Sequence, residues 1–115
     1  MCSSDLEGAR TWLHTSGVVP TRPDGTVPDA IADQAEVVWS NLLAMLDDAQ
    51  MTVLDVVSVT TYVVVDHMAS LGQVMAARDR ALGARRVAST LVTVPALARP
   101  EWKMEIALVA AYAEG

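Results

Sequence analysis

The chain has 115 residues, of which 52% are apolar and 19% are charged, and its formal net charge is −6. This length fits one domain, and the apolar excess indicates that some apolar surface is covered by other subunits. An acidic chain without a basic cluster argues against a nucleic-acid partner, no apolar run reaches the ~18 residues of a membrane helix, and one cysteine allows no intrachain disulfide.

The first half of the chain predicts a strand, a loop and a helix. Residues 1–8 have no pattern that leads into a strand, and we expect a non-native or disordered segment before a single domain over residues 9–115. Residues 9–19 are rich in β-forming side chains and predict a strand. Residues 20–28 contain three prolines and an Asp-Gly, which is typical of a loop. Apolar residues at three- and four-residue spacing predict an amphipathic helix over 31–50.

The second half predicts a strand, a helix and two further strands. Residues 53–65 contain seven valines, which is typical of a buried strand. Asp66 is expected to cap a second helix that ends at Gly83, and strands are expected over 87–94 and 102–112. The apolar stripe of the second helix would consist of Met68, Leu71, Val74, Met75 and Leu82, and its solvated side of Arg78, Asp79 and Arg80. The order β, α, β, α, β, β predicts an α+β fold in which two helices cover one face of a mixed sheet.

Three stretches, in this order, resemble the RidA (YjgF) family of imine and enamine deaminases. Residues 13–20, LHTSGVVP, match a strand ending in Ser-Gly before a Pro-bounded loop, and residues 53–66 match a central strand with an Asp-terminated turn. Residues 85–110 match two β-rich runs around a Pro-containing loop. The resemblance covers residues 10–113 and implies a chorismate-mutase-like fold in a homotrimer, with ligand clefts between adjacent subunits. The family's usual N-terminal segment and first strand have no counterpart, which suggests a truncated start.

The resemblance implies a reaction and a set of site residues. Family members hydrolyse reactive 2-imino acids to 2-oxo acids and ammonia, which requires a bound carboxylate and a positioned water. Glu105 matches the glutamate that handles this water, and Ser16 matches a serine that lines the cleft. Leu91 falls where a backbone N–H contacts the substrate carboxylate. Ser89 stands where the family has its carboxylate-binding arginine, and a hydroxyl supplies no positive charge.

Other interpretations of these residues stay open. Glu105 could be a solvated residue of an edge strand, and Ser16 could simply end its strand. Arg85, Arg86 and Arg99 could each replace the missing arginine, although each could equally be a solvated charge. Met75 matches a family asparagine but fits a core position better, and a lone His14 is usually structural.

We therefore expect a cytoplasmic protein that binds small imino or oxo acids and acts as a 2-iminobutanoate and 2-iminopropanoate deaminase-like hydrolase. A non-catalytic metabolite-binding or regulatory protein on the same trimeric fold is the alternative, which the missing arginine favours. A third possibility is an enzyme for an uncharged substrate. No cofactor and no metal are expected, because two isolated histidines do not form a metal site. Neither a nucleic-acid nor a membrane partner is expected, although RNA cleavage has been claimed for family members.

Overall fold

Four strands and two helices follow one another in a computed structural model that describes residues 11–83 and 85–112. Their bounds are β1 Thr11–His14, α1 Ile31–Asp48, β2 Val56–Val64, α2 Leu71–Leu82, β3 Ala88–Val94 and β4 Met104–Tyr112. The predicted order β, α, β, α, β, β is confirmed. The segment 1–8, for which we expect no native structure, lies outside the described residues. None of the described helices is long and apolar enough to cross a membrane.

The strands form one mixed sheet in the order β1-β4-β2-β3. β4 lies between β1 and β2 and is antiparallel to both, whereas β2 and β3 are parallel. Parallel neighbours need a crossover connection, and α2 supplies it between β2 and β3. The two final strands of the sequence are therefore not neighbours, because β2 separates β3 from β4.

Both helices pack on the same face of this sheet. Alternate residues of β4 are buried, and they join α1 and α2 residues such as Trp39 and Val74 in one core. Residues of the opposite parity are only half-buried, and none of the helices among residues 11–83 and 85–112 covers that side of the sheet. We call that side the open face. It is formed by Trp12, His14, Ser58, Thr60, Tyr62, Thr90, Val92, Glu105, Ala107 and Val109.

β3 is the least buried strand of the sheet. Six of its seven residues are exposed and the last is half-buried, although most are β-formers. Leu91 and Val92 are among the large apolar side chains that remain exposed. An exposed edge strand of this kind presents unpaired backbone groups to a partner. Part of the apolar surface of the chain is thus exposed on β3.

The second helix starts later than the sequence suggests. A 3₁₀ segment at Val65–Ser70 precedes α2, and His67 within it has non-helical dihedral angles. Asp66 therefore does not cap α2, and Met68 is 51% exposed instead of lying in an apolar stripe. The predicted end is confirmed, because Gly83 has a φ of 68° at the C-cap, a conformation that favours glycine.

A buried glutamine joins three parts of the chain at the start of α1. The Gln34 Nε2 donates to the carbonyl oxygens of Pro28 and Glu101, each at 2.8 Å. Its Oε1 accepts a 2.9 Å hydrogen bond from the backbone N–H of Lys103. These bonds fix the proline-rich loop and the entrance to β4 relative to the helix. They thereby set the position of Glu105, two residues further along.

Candidate functional site

The Ser-Gly pair lies in a β-bulge at the end of β1. The backbone N–H of Thr15 donates to the Leu108 carbonyl at 3.0 Å, and Val18 and Ile106 exchange hydrogen bonds of 2.7 and 3.1 Å. Ser16 and Gly17 are therefore two residues opposite one residue of β4, which is the definition of a bulge. The Thr15 Oγ1 supports this geometry by accepting from the Leu108 N–H at 2.9 Å. Bulges commonly redirect side chains beside functional sites.

The bulge brings Gly17 directly against the carboxyl group of Glu105. A Cβ atom at Gly17 would lie 2.6 Å from Cδ and Oε2 of Glu105 and 2.7 Å from Oε1. Real Cβ atoms do not approach other heavy atoms so closely. The carboxyl group can occupy this place only because residue 17 has no side chain. Glu105, proposed from the sequence as a site residue, therefore lies against the glycine of the Ser-Gly pair.

Glu105 is half-buried on the open face, directly across the β4–β2 ladder from Tyr62. Its carboxylate has no hydrogen-bond or ion-pair partner among residues 11–83 and 85–112. A half-buried carboxylate with free lone pairs can accept a proton from a water molecule or hold that water in place. Polar groups shielded from water are normally paired, so a ligand or a subunit that covers Glu105 would need to supply a partner.

Ser16 also borders a largely apolar cavity of about 420 Å³ between the bulge and the second half of α1. Ser16 is exposed at this position, and Asn41 forms part of the opposite wall. Asn41 Nδ2 donates to the Thr21 carbonyl at 2.9 Å, which holds the loop after β1 against the helix. Glu105 does not line this cavity, so the two features lie on different sides of the bulge.

Ser89 and Leu91 lie apart from Glu105 within one chain. They pair with Val59 and Thr61, the buried positions of β2, and therefore project to the helix side of the sheet. Glu105 projects to the open face, and β2 lies between the two strands, a separation of roughly 10 Å at ~4.8 Å per strand. The predicted site residues thus form two groups in each chain.

One functional candidate was missed in the sequence. Arg78 of α2, assigned there to the solvated side of the helix, is only 25% exposed and its Nη1 donates a 2.8 Å hydrogen bond to the Ser89 Oγ. A guanidinium group therefore lies within hydrogen-bond distance of Ser89. Arg78 and Ser89 are eleven residues apart in different elements, so no local motif could reveal this contact.

Two of the three arginines considered from the sequence have structural partners. Arg85 Nη1 donates to the Val53 carbonyl at 2.7 Å and is half-buried. The Arg99 guanidinium lies 5.6 Å from the Trp102 ring centroid and 3.6 Å from the Glu101 carboxylate. Both arginines hold a loop in place through these contacts, which account for them without a bound ligand.

The histidines and carboxylates do not form a metal site in the part of the chain that the structure describes. His14 is on the open face, where its ring stacks on Trp12 with a centroid distance of 6.0 Å. Met75 packs against the core, as the sequence suggested. No cluster of side chains in the described ranges therefore indicates a metal, and the titratable groups of the open face are Glu105, His14 and Tyr62.

Solved structures identify the class of fold. YyfB from Yersinia pestis, a protein of unknown function of the Rid family, is 32% identical with a TM-score of 0.82, and the match covers 90% of this chain and 80% of that one. Rv2704 from Mycobacterium tuberculosis, a member of the YjgF/YER057c/UK114 family, is 25% identical with a TM-score of 0.77 over 91% and 85% of the two chains. TdcF from E. coli, solved with bound serine, shares the fold at 23% identity and a TM-score of 0.77 over 92% and 87%.

The four-stranded mixed sheet with two helices on one face is thus the RidA-type α+β fold. The family model described as Endoribonuclease L-PSP matches residues 4–112. The chain belongs to this family, the RidA (YjgF) family, which confirms the resemblance found in the sequence. No sequence among the curated proteins matches the chain significantly.

Proposed function

We propose that this protein hydrolyses reactive 2-imino acids to 2-oxo acids and ammonia. The observation that carries the proposal is the free Glu105 carboxylate held against Gly17 in the β-bulge. The family, the Ser-Gly pair and the glutamate on the last strand agree with one another. Each of the three would also be compatible with simple binding, and only their combination points to water activation.

The reaction needs one proton acceptor close to an electrophilic carbon. Glu105 accepts a proton from a water molecule as the water oxygen forms a bond to the imine carbon, the C=N π electrons move to the nitrogen, and the protonated Glu105 returns this proton to that nitrogen. The resulting carbinolamine transfers its hydroxyl proton towards the amino group, the C–N bond breaks, and ammonia leaves with both electrons of that bond. A well-placed general base of this kind contributes on the order of 10²–10⁴-fold in rate.

The placement of the site residues supports a cleft made by two subunits. Glu105 and the pair Ser89 and Leu91 lie on opposite faces of the same sheet, and Ser16 adjoins Gly17, the residue that lies against the Glu105 carboxylate. A second copy that presents its β3 edge to the bulge of the first would bring the groups together. The uncovered open face and the exposed β3 support such an assembly, which we propose to be a homotrimer with intersubunit clefts. We further propose that it functions in the cytoplasm.

A non-catalytic metabolite-binding protein is the second candidate function. Ser89 favours it, because a hydroxyl in place of an arginine removes a charge-assisted bond to a carboxylate. E. coli TdcF, which shares the fold, was solved with bound serine, and small amino acids are therefore suitable probes for this alternative. A binding protein would hold such a ligand without turnover.

The test is the hydrolysis of 2-iminopropanoate and 2-iminobutanoate, generated in the assay by an amino-acid oxidase. The parent protein is compared with Glu105→Gln, which keeps the size of the side chain and removes the proton acceptor. Glu36→Gln on the exposed surface of α1 is the matched control. We expect activity in the parent and in the control, and a loss of at least a hundredfold in Glu105→Gln, at the lower end of general-base effects.

Two results would contradict the proposal. If the folded parent protein does not accelerate ammonia release above the uncatalysed rate, it is not an imine hydrolase. If Glu105→Gln retains the parent's kcat, the carboxylate beside Gly17 is not the proton acceptor. Ligand binding without turnover would instead support the metabolite-binding alternative.

A further inference from the structure

The strongest concentration of positive charge lies in a cavity of about 500 Å³ between the end of α2 and the start of β3. Three of the eight basic residues of the chain line it, namely Arg78, Arg85 and Arg86. Asp79 is the acidic residue in this lining. The local balance is therefore positive in a protein whose net charge is −6. Such a cavity attracts small anions and repels cations.

Arg78 is held in a defined orientation within this cavity. Its Nη1 donates to the Ser89 Oγ at 2.8 Å, while Nε and Nη2 donate to the Asp79 Oδ1 at 3.2 and 2.9 Å. A guanidinium group has five N–H donors, so these bonds leave two without a partner in the described ranges. Both remaining donors belong to the terminal nitrogens. A pre-oriented guanidinium with free terminal donors suits a carboxylate, which accepts from both together.

The other two arginines have different parts. Arg85 is fixed by its bond to the Val53 carbonyl and forms a wall of the cavity, to which it also adds charge. Arg86 is exposed beside the cavity and has no hydrogen bond or ion pair in the part of the chain that the structure describes. Ser89, which accepts from Arg78, keeps its own hydroxyl hydrogen available for an anion.

The geometry points to a small-carboxylate site in this cavity, in which Arg78 binds the carboxylate and Ser89, beside the cavity, orients Arg78 by accepting a hydrogen bond from it. The guanidinium group of Arg78 comes from α2 and reaches Ser89 on β3, the position at which the family resemblance leads us to expect an arginine. The assignment of the ligand as a 2-imino or 2-oxo acid rests on the proposed function. The positive charge of the cavity and the orientation of Arg78 are independent of that function. Arg78 would then determine the preference for carboxylate substrates.

The direct test is the binding of 2-oxobutanoate, measured by calorimetry at low ionic strength. Arg78→Gln removes the charge and keeps most of the side chain, and Arg80→Gln is the control on the same helix, outside the cavity. Losing one charge-assisted pair should weaken binding about 10- to 100-fold in Arg78→Gln. Arg80→Gln should bind within about twofold of the parent, because an exposed ion pair such as Arg80–Glu36 contributes little.

Further variants separate binding from folding. Thermal unfolding of each variant shows whether Arg78→Gln is intact, and Arg78→Lys keeps the charge without the planar pair of donors. We expect Arg78→Lys to bind with an affinity between those of the parent and Arg78→Gln. Unchanged affinity in a folded Arg78→Gln variant would overturn the proposal, as would the absence of 2-oxobutanoate binding by the parent. Tighter, Arg78-dependent binding of inorganic phosphate would overturn the assignment to a carboxylate.

The outcomes for this site and for the proposed hydrolysis can be distinguished. Glu105→Gln should lose turnover and still bind 2-oxobutanoate, because Arg78 is untouched. If the parent shows Arg78-dependent binding without turnover, the hydrolysis is wrong and the site is correct. If the parent turns over 2-iminobutanoate and Arg78→Gln changes neither KM nor affinity, the site is wrong and the hydrolysis is correct.

Discussion

Gly17 and Glu105 share one space: the carboxyl carbon of Glu105 lies 2.6 Å from the point that a Cβ on Gly17 would occupy. The β-bulge brings the Gly17 backbone against the carboxylate, which occupies this space because glycine has no side chain. The atoms that would collide are the far end of a flexible side chain. An added methyl group would therefore move the carboxylate and leave the sheet in place.

We expect Gly17→Ala to lower kcat for imine hydrolysis by at least about tenfold, because small displacements of catalytic groups cost this much or more. Its melting temperature should stay within a few degrees of the parent's, since the shift affects only a side-chain end. The measurement combines kinetics with thermal unfolding. Gly72→Ala on α2 is the control, because a Cβ there meets no atom within 4 Å and should leave kcat unchanged. Parent-like kcat in Gly17→Ala would show that the carboxylate position is unimportant.

Gln34→Leu should destabilise the fold strongly. The substitution leaves the Pro28 and Glu101 carbonyls and the Lys103 N–H without their partner. At ~1–3 kcal/mol for each unsatisfied buried group, the free energy of unfolding should fall by about 3 kcal/mol or more. Urea unfolding measures this change. Gln73→Leu, at an exposed position of α2, should change it by less than about 0.5 kcal/mol. Equal stability of the two variants would contradict the role of Gln34.

Thr60→Arg should prevent assembly. Thr60 lies at the centre of the open face, between Ala107 of β4 and Thr90 of β3. An arginine there would place a long charged side chain in the surface that other subunits would cover, which is costly in both space and desolvation. Sedimentation velocity should give a trimer for the parent and a monomer for the variant. Ser40→Arg on the exposed side of α1 should remain trimeric. A monomeric parent would rule out the homotrimer.

Asp24 gives a prediction that depends on pH. The Thr26 hydroxyl and the Thr26 backbone N–H, which donate to the Asp24 Oδ1 at 2.7 and 2.9 Å, hold the pKa of this carboxyl below its usual 3.8. Because folding lowers this pKa, the ionised carboxylate stabilises the folded loop at pH values above the pKa of the unfolded chain. This contribution is lost as the pH falls through the pKa of the folded chain. Thr26→Val should raise the Asp24 pKa, and Thr26→Ser should not. An NMR titration of the carboxyl carbon tests both.

Periodicity was sufficient to predict the elements but not all of their ends. The helix over 31–50 was predicted two residues too long, because α1 ends at Asp48 and Gln50 already has a φ of 60°. Asp66 has the chemistry of a cap, but a 3₁₀ segment follows it before α2 begins. Caps depend on local dihedral angles that residue type alone does not determine.

The site shows the same limit more clearly. Glu105 and Ser16 could be proposed because the family resemblance supplied their positions, and the bulge explains how Gly17, the neighbour of Ser16, comes to lie against the Glu105 carboxylate. Arg78 was assigned to the solvated side of its helix, since the pattern of α2 says nothing about β3. The contact between Arg78 and Ser89 arises only when the crossover places α2 over β3. Contacts made by tertiary packing are beyond a single sequence without an alignment.

The separation of Glu105 from the Arg78–Ser89 pair has a consequence for mixed assemblies. In the proposed assembly each cleft takes Glu105 from one subunit and Arg78 from its neighbour. A chain with Glu105→Gln then still contributes an intact Arg78, and a chain with Arg78→Gln still contributes an intact Glu105. The two variants unfolded and refolded together should then recover activity at low substrate concentration that neither has alone. In trimers formed from equal amounts, about one cleft in four would combine two intact halves. The loss of Glu105 in one chain would thus be compensated by a neighbouring chain that lacks only Arg78.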